Sequence, residues 1–311
     1  GETSVKEAFA DMVELADKAK KQTKPSNNTK LQIMEVEFNG NEEPVPVIIT
    51  AGQSNTDGRV FNTQLPEYIK TNKYKYCYWR YGSNDKELTN GFELFWPKMN
   101  NDREPNRWAY DAVTYYWLEQ QLQKKFYVIK WSLGGTAIDT MYASTSHKYW
   151  FADKDWLRQN KSTWQGGASL LKSFTELIDN SIDTELSKLP EGYDIKAFLW
   201  HQGESDSHGH SPYYYRDLKN VIAYVRDYLV KKTGDKKYKE LPFIFGSISH
   251  DNKRFSPDVE KAMQRIAAED KNCYLIDMSR AELQKDRMHF TAVSAEELGK
   301  KMYEELMNIS K

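Results

Sequence analysis

Apolar positions along this chain alternate between two rhythms. Short runs of strand length, rich in Val, Ile and aromatic residues, lie at Val45–Ala51, Tyr74–Tyr81, Phe126–Ser132, Ile195–His201, Leu241–Ile248 and Cys273–Met278. Between them the spacing turns helical, at Trp108–Gln123, through Leu170, Phe174, Leu177 and Ile178, and through Leu218, Val221, Val225 and Leu229. Ser211-Pro212 sets the start of the last of these, since proline is tolerated in a first helical turn. Ser294-Ala295-Glu296-Glu297 has the form of a capping box and opens a final helix through Leu298, Met302 and Leu306. Ahead of this series, Val5, Phe9, Met12 and Ala16 predict an amphipathic helix over residues 3–21, and Pro25-Ser26-Asn27-Asn28 ends it as a linker. Leu31 to Phe38 alternates weakly, as an edge strand would.

Strands alternating with helices at this pace imply an α/β fold: a three-layer α/β/α sandwich whose mostly parallel sheet, of about five strands, is covered on both faces. The expected organisation is an N-terminal helical extension and linker over 1–30, then one domain over 31–311, with no repeat and no second boundary. Residues 139–165 break the rhythm. They hold Met141, Tyr142, Tyr149, Trp150, Trp156 and Trp164 among Ser, Thr, Asp and Lys, and read as a long excursion after the Phe126–Ser132 strand. Such loops sit at the carboxyl ends of strands, where open α/β sheets bind ligands.

Composition narrows the function classes. Apolar residues at 39% and charged residues at 29% describe a soluble globular chain. Lys and Arg number 44 against 45 Asp and Glu, so no basic excess exists to neutralise phosphates, and nucleic acid is not the expected partner. The apolar runs fall far short of the about 18 residues of a membrane helix, so no membrane insertion is expected. Cys77 and Cys273 stand far apart without CxxC spacing, against a disulfide scaffold or zinc finger, though a single bridge stays open. Gly1 to Lys24 is lysine-rich without a long apolar centre or small-residue cleavage site, so it does not read as a secretory signal. A signal already removed would leave no trace. Aromatics reach 14%, with 9 Trp and 20 Tyr, a surplus that suits stacking on sugar rings.

Three predicted strands run into polar or glycine-rich sequence: Gly52-Gln53-Ser54-Asn55, Gly134-Gly135-Thr136, and Gln202-Gly203-Glu204-Ser205-Asp206. Asp286-Arg287-Met288-His289 precedes the final helix. In a parallel sheet these ends converge on one edge, bringing together a serine, a histidine, carboxylates and glycine-flanked amides, the parts of acyl transfer. Singly each is ordinary turn chemistry. Gly134-Gly135 lacks both GxGxxG and P-loop patterns, and Thr56 occupies the second glycine position of a G-x-S-x-G elbow, which argues against an α/β-hydrolase.

Taken in order, the four blocks resemble the SGNH hydrolase superfamily, and within it the carbohydrate acetylesterase branch that includes sialate O-acetylesterases and one family of acetylxylan esterases. The resemblance spans about Val45 to Leu306 and implies a flavodoxin-like three-layer fold. It implies Ser54 as nucleophile, His289 as general base and Asp286 as the acid that orients it. The amides of Ser54 and of Gly134 or Gly135, with the Gln202 side chain, would form the oxyanion hole. Gln53, Asn55, Tyr142 and Trp150 are expected to bind substrate. The implied substrate is an acetylated carbohydrate of xylan or sialic acid type, with no metal and no cofactor, in a secreted or periplasmic setting. The competing readings are a non-catalytic carbohydrate-binding protein on the same fold and a lipase or thioesterase of the superfamily. Many relatives carry a tryptophan shortly after Ile138, where this chain has Asp139, Thr140 and Met141. Of the remaining polar residues, His201 should be a core histidine, because strand neighbours face opposite sides and Gln202 faces the cleft. Asp206, His208 and His210 match no metal spacing and read as a solvated loop. His147 and His250 have no catalytic partner in sequence. Glu204 is expected to tie its loop together.

Overall fold

All six apolar runs become strands of one parallel sheet: β1 (Val45–Gly52), β2 (Cys77–Ser83), β3 (Phe126–Ser132), β4 (Tyr193–His201), β5 (Phe243–Gly246) and β6 (Cys273–Ile276). Their order across the sheet is β6-β5-β4-β1-β3-β2. Short strands at Lys86–Glu87 and Glu93–Leu94 pair antiparallel with β2 and bring the sheet to eight strands. The expected count of about five is therefore too low, because all six apolar runs pair in the sheet and two short antiparallel strands extend it beyond β2. The computed structural model describes residues 43–98, 106–207 and 210–311. The helix over 3–21, its linker and the weak strand at Leu31–Phe38 lie outside the described residues.

The sheet is apolar on both faces, as burial between helix layers requires. In β1, Val47, Ile49 and Ala51 face one core and Ile48 the other; in β3, Tyr127, Ile129 and Trp131 oppose Phe126 and Val128. The first core is closed by α2 (Leu170–Thr184), α3 (Tyr214–Thr233) and α4 (Pro257–Glu269), the second by α1 (Tyr110–Leu122) and α5 (Ala292–Ile309). In β4 the register against β1 slips: Val47 pairs with Ile195 but Ile48 with Ala197, leaving Lys196 as an extra residue. That bulge lets Ile195 and Phe198 share one core although their numbers differ in parity, and it sets which way the strand's last residues point.

Two helix starts differ from expectation, and one helix was not expected. Helix α3 begins at Tyr214 behind Tyr213, so Ser211-Pro212 lies in the turn before it and not in its first turn. The cap of α5 is Thr291, whose hydroxyl accepts from the Ser294 amide at 3.3 Å, so Ser294 lies inside the first turn and not before it. Helix α4 has no counterpart in the predicted elements, although Pro257 at its start and the spacing of Val259, Met263 and Ile266 mark it. Both cysteines are buried free thiols. No helix among the described residues is long and apolar enough to cross a membrane.

Candidate active site

Strand β1 lies between β3 and β4, so chain order reverses on its two sides and a crevice opens at its carboxyl end. Gly52 ends the strand at φ +151°, and a Cβ there would collide with the His201 carbonyl oxygen and the Thr56 hydroxyl. Only glycine lets the chain turn this close to β4. The Gln53 amide donates to that same His201 carbonyl at 3.1 Å, and Ser54 then opens a four-residue helical turn, Ser54–Asp57.

From the loop before α5, His289 reaches Ser54. Its Nε2 lies 3.0 Å from Ser54 Oγ, and its Nδ1 lies 2.6 Å from Asp286 Oδ2. The bond to the carboxylate favours the proton on Nδ1, leaving Nε2 to accept the serine hydroxyl hydrogen. Asp286 Oδ1 also accepts from the amides of Met288, at 2.9 Å, and His289, at 3.1 Å. Partial burial pulls the Asp286 carboxyl upward, but those two amides and the His289 ring outweigh it and hold the group below its ordinary value. Among the described residues the amides of Ser54, Gly134 and Gly135 have no protein acceptor, which leaves each of them a candidate oxyanion donor.

The other motif residues are buried and bonded to one another. Gln53 Oε1 accepts from the amides of Gly203, at 3.4 Å, and Ser205, at 3.2 Å. Asn55 Nδ2 donates to Glu204 Oε1 at 3.0 Å, and Asn55 Oδ1 accepts from the Phe290 amide at 3.1 Å. Both were expected to bind substrate; their amide groups are instead taken up by these bonds, which tie the serine turn to the β4 loop and to the histidine loop. Gln202 corrects the expected oxyanion set in the same way. Its Nε2 donates to Thr136 O at 3.0 Å and to Asp206 Oδ2 at 2.5 Å, while its Oε1 accepts from the Tyr214 hydroxyl at 3.0 Å, so neither N–H is left for the cleft. Asp206 is not a solvated loop residue. It is 1% exposed and accepts from the amides of Ile138 and Asp139, at 2.9 and 3.0 Å, which pins the glycine block of β3 to the loop of β4. Burial pushes its carboxyl up to about 7 against the pull of those amides and of Gln202.

His201 is fully buried, as expected, with Nε2 3.3 Å from the Ser247 carbonyl, and burial lowers its affinity for a proton. Glu204 ties its loop to Asn55 and lies 3.6 Å from His201, while Asp286 holds the orienting place at His289. His210 pairs with Asp258 at 2.7 Å and His250 with Glu260 at 2.8 Å; His208 lies outside the described residues.

Of the five tyrosines and tryptophans in the excursion, Tyr149 and Trp150 are buried, and Tyr142, Trp156 and Trp164 are partly exposed. Trp150, expected at the substrate, is fully buried, donates from Nε1 to Thr136 Oγ1 at 2.9 Å and packs edge-on against Trp200. Tyr149 is buried, and Trp164 lies against Trp131. Tyr142 stays partly exposed, its hydroxyl donating to the His210 carbonyl at 3.1 Å. One participant is absent from the sequence expectations. Arg59 pairs with buried Asp57 at 3.2 Å and lies against Gly134, where a Cβ would collide with its guanidinium. An acid and a base within five residues of the serine, Asp57-Gly58-Arg59, were the available signal.

A family model described as carbohydrate esterase, sialic acid-specific acetylesterase, matches residues 44–308. The chain belongs to this family. It is a carboxylic ester hydrolase, and the four blocks that carry the geometry above all fall within the matched span. Three solved structures share the fold. A protein from Arabidopsis thaliana aligns with a TM-score of 0.53 at 19% identity, over 85% of this chain and 98% of its own. NanS aligns at 0.54 and 12% identity, over 86% and 98%. A carbohydrate acetylesterase from Xanthomonas citri aligns at 0.52 and 14% identity, over 83% of this chain and 55% of the longer protein. No curated protein sequence matches the chain.

Proposed function

We propose that the chain is a serine esterase that removes O-acetyl groups from carbohydrate through an acetyl-Ser54 intermediate. The observation that carries this reading is the unbroken relay from Asp286 through His289 to Ser54 Oγ, with steps of 2.6 and 3.0 Å, together with backbone amides that have no protein acceptor among the described residues. His289 takes the serine proton as Oγ attacks the acetyl carbonyl. Negative charge gathers on the carbonyl oxygen, and the amides of Ser54 and of Gly134 or Gly135 stabilise it, each fixed donor contributing about 3–4 kcal/mol. Gln202 and Asp206 act behind them by holding the glycine block in place. His289 then protonates the departing sugar hydroxyl, and the same ring activates the water that releases acetate. Asp286, kept ionised by its amide donors, steadies the imidazolium formed at each step.

Acetyl is small, so binding energy must come from the sugar. The family description and the activity named for the Xanthomonas relative support an acetylated carbohydrate, and xylan and sialic acid esters are the two candidate classes. The test is acetate release from acetylated xylan and from O-acetyl sialic acids in parallel, with p-nitrophenyl acetate as a small control. Mass spectrometry of quenched enzyme should find one acetyl group on the peptide containing Ser54. Turnover of the small ester with neither carbohydrate would overturn the substrate assignment, and an acetyl group on another residue would overturn the mechanism.

A further inference from the structure

Asp286 and His289 share one loop. Their contact sets the orientation of the imidazole, but it cannot set the distance from that ring to Ser54, which belongs to a different strand end. Some tie must cross between the two. Asn55, the residue directly after the nucleophile, makes it. Its Oδ1 accepts from the Phe290 amide at 3.1 Å and its Nδ2 reaches the Met288 carbonyl at 3.4 Å, so it holds the chain on both sides of His289. Asn252 shares the Met288 carbonyl at 3.2 Å, and the Lys253 amide donates to the Arg287 carbonyl at 3.0 Å, but both come from the segment after β5. Gln284 Nε2 donates to the Arg59 carbonyl at 2.9 Å and so joins the loop to the chain just past the serine turn, five residues from Ser54; Asn55 is the tie made beside the nucleophile itself.

An asparagine amide can sit either way round, and only one way serves here. The oxygen must face the Phe290 amide and the NH2 the Met288 carbonyl. Glu204 selects that orientation. It is 2% exposed and its Oε1 accepts from Asn55 Nδ2 at 3.0 Å, which it would repel if the amide were reversed. The mechanism above leaves this buried carboxylate unused. Its second oxygen has no partner among the described residues, so Asn55 supplies its firm hydrogen bond.

We propose that Asn55 and Glu204 are positioning residues: Glu204 orients the Asn55 amide, and Asn55 sets the distance between His289 and the serine beside it. This rests on Ser54 and His289 being nucleophile and base. Misplacing a catalytic group by about 1 Å costs on the order of 100-fold in rate. Asn55→Ala should therefore lower kcat for p-nitrophenyl acetate by about 100-fold and leave KM nearly unchanged, since no contact to the ester is lost. Phosphonylation of Ser54 by a fluorophosphonate, which needs the same base, should slow in parallel. Glu204→Leu should fall in both assays, and Glu204→Gln, which keeps an acceptor for Asn55, should recover most of the loss.

Thermal stability is read alongside. A folded Asn55→Ala enzyme that labels and turns over within about twofold of the parent overturns the proposal, because the tie would then be structural only. Equal losses in Glu204→Gln and Glu204→Leu overturn the role of Glu204. If Asn55→Ala does not fold, the two Glu204 variants still decide, since each leaves Asn55 in place. Ser54→Ala is the control: activity surviving in it refutes the underlying assignment, whereas a dead Ser54→Ala with intact Asn55 and Glu204 variants refutes this inference alone.

Discussion

The His289 side chain is 18% exposed and that of Asp286 42%, with Ser54 beneath them at 5%, whereas Gln202, Glu204 and Asp206 are at most 2% exposed. Both groups belong to the four motif blocks, the outer to the first and last and the inner to the third, and both are networks of hydrogen-bonded polar side chains. The outer one ends on an oxygen that faces the crevice, and its base keeps one nitrogen for the nucleophile. In the inner one Gln202 and Asp206 spend their groups on neighbours, amide to carboxylate, carboxylate to backbone and tyrosine to amide, while Glu204 turns one oxygen to Asn55. Polar residues of the motif blocks thus divide by their hydrogen bonds, and not by burial alone, since Ser54 is 5% exposed and Asn55 6%: some keep a bonding group for substrate, and others spend theirs in joining the strand ends. The second kind carries the cost of buried charge and in return fixes where the first kind stands.

Mutations should separate the two networks. Ser54→Ala and His289→Ala should each reduce ester hydrolysis by at least about 10⁴-fold with melting temperature unchanged, the double variant losing no more than either single one. Asp286→Asn should lose less than either, because it orients the base without carrying the reacting atoms. Steady-state kinetics with p-nitrophenyl acetate and a thermal melt check all of these. A large drop in Tm for Ser54→Ala would blur the division, since the outer network would then be holding the fold.

Trp150→Ala should show the opposite signature. Removing a fully buried ring that also anchors Thr136 should cost about 3–5 kcal/mol of stability and damage small and large substrates together. Chemical denaturation gives the number.

Asp206→Asn should be milder. Turning acceptors into a donor beside the Ile138 and Asp139 amides should cost about 1–3 kcal/mol for each N–H left unpaired. It should also change how stability depends on pH. The folded protein holds the Asp206 proton up to about 7, against 3.8 for an ordinary carboxyl, so this group's contribution is fully present below the lower value and lost as pH rises through the higher one. The parent should therefore melt higher at about pH 5 than at about pH 8 through this group, and the variant's slope should be flatter. Asp217, pushed by burial to about 7 as well, adds a slope of the same sign that the variant keeps.

The smallest effect belongs to the sugar side. Tyr142→Ala should raise KM for an acetylated oligosaccharide by roughly twofold to tenfold and leave p-nitrophenyl acetate untouched. Parallel changes in both substrates would assign Tyr142 to the scaffold with Trp150.

The sequence by itself determined the α/β class and the strand runs, and the resemblance of its four blocks picked out the serine, aspartate and histidine that the structure brings within hydrogen-bond distance. Those are read from local information: alternation of apolar residues with period, glycine where a turn demands it, and four short blocks in a fixed order. His201 is buried as expected, but not for the expected reason: Gln202, read as facing the cleft, is buried as well. Only the tertiary structure decided what the remaining motif residues do. Gln53, Asn55, Gln202 and Trp150 looked like groups for a ligand because a polar or aromatic residue beside a catalytic one has the same letters whether it faces solvent or a neighbouring loop. Which way each points depends on the approach of strand ends far apart in the chain. Asn55 and Phe290 meet across 235 positions, and Gln202 finds Thr136 across 66. A one-residue bulge at Lys196 shifts the facing of everything after it in β4, and no periodicity marks it in advance. Local chemistry is written in the order of residues. Whether a hydrogen-bonding group is spent inside the protein or kept for substrate is settled only when distant segments close around it.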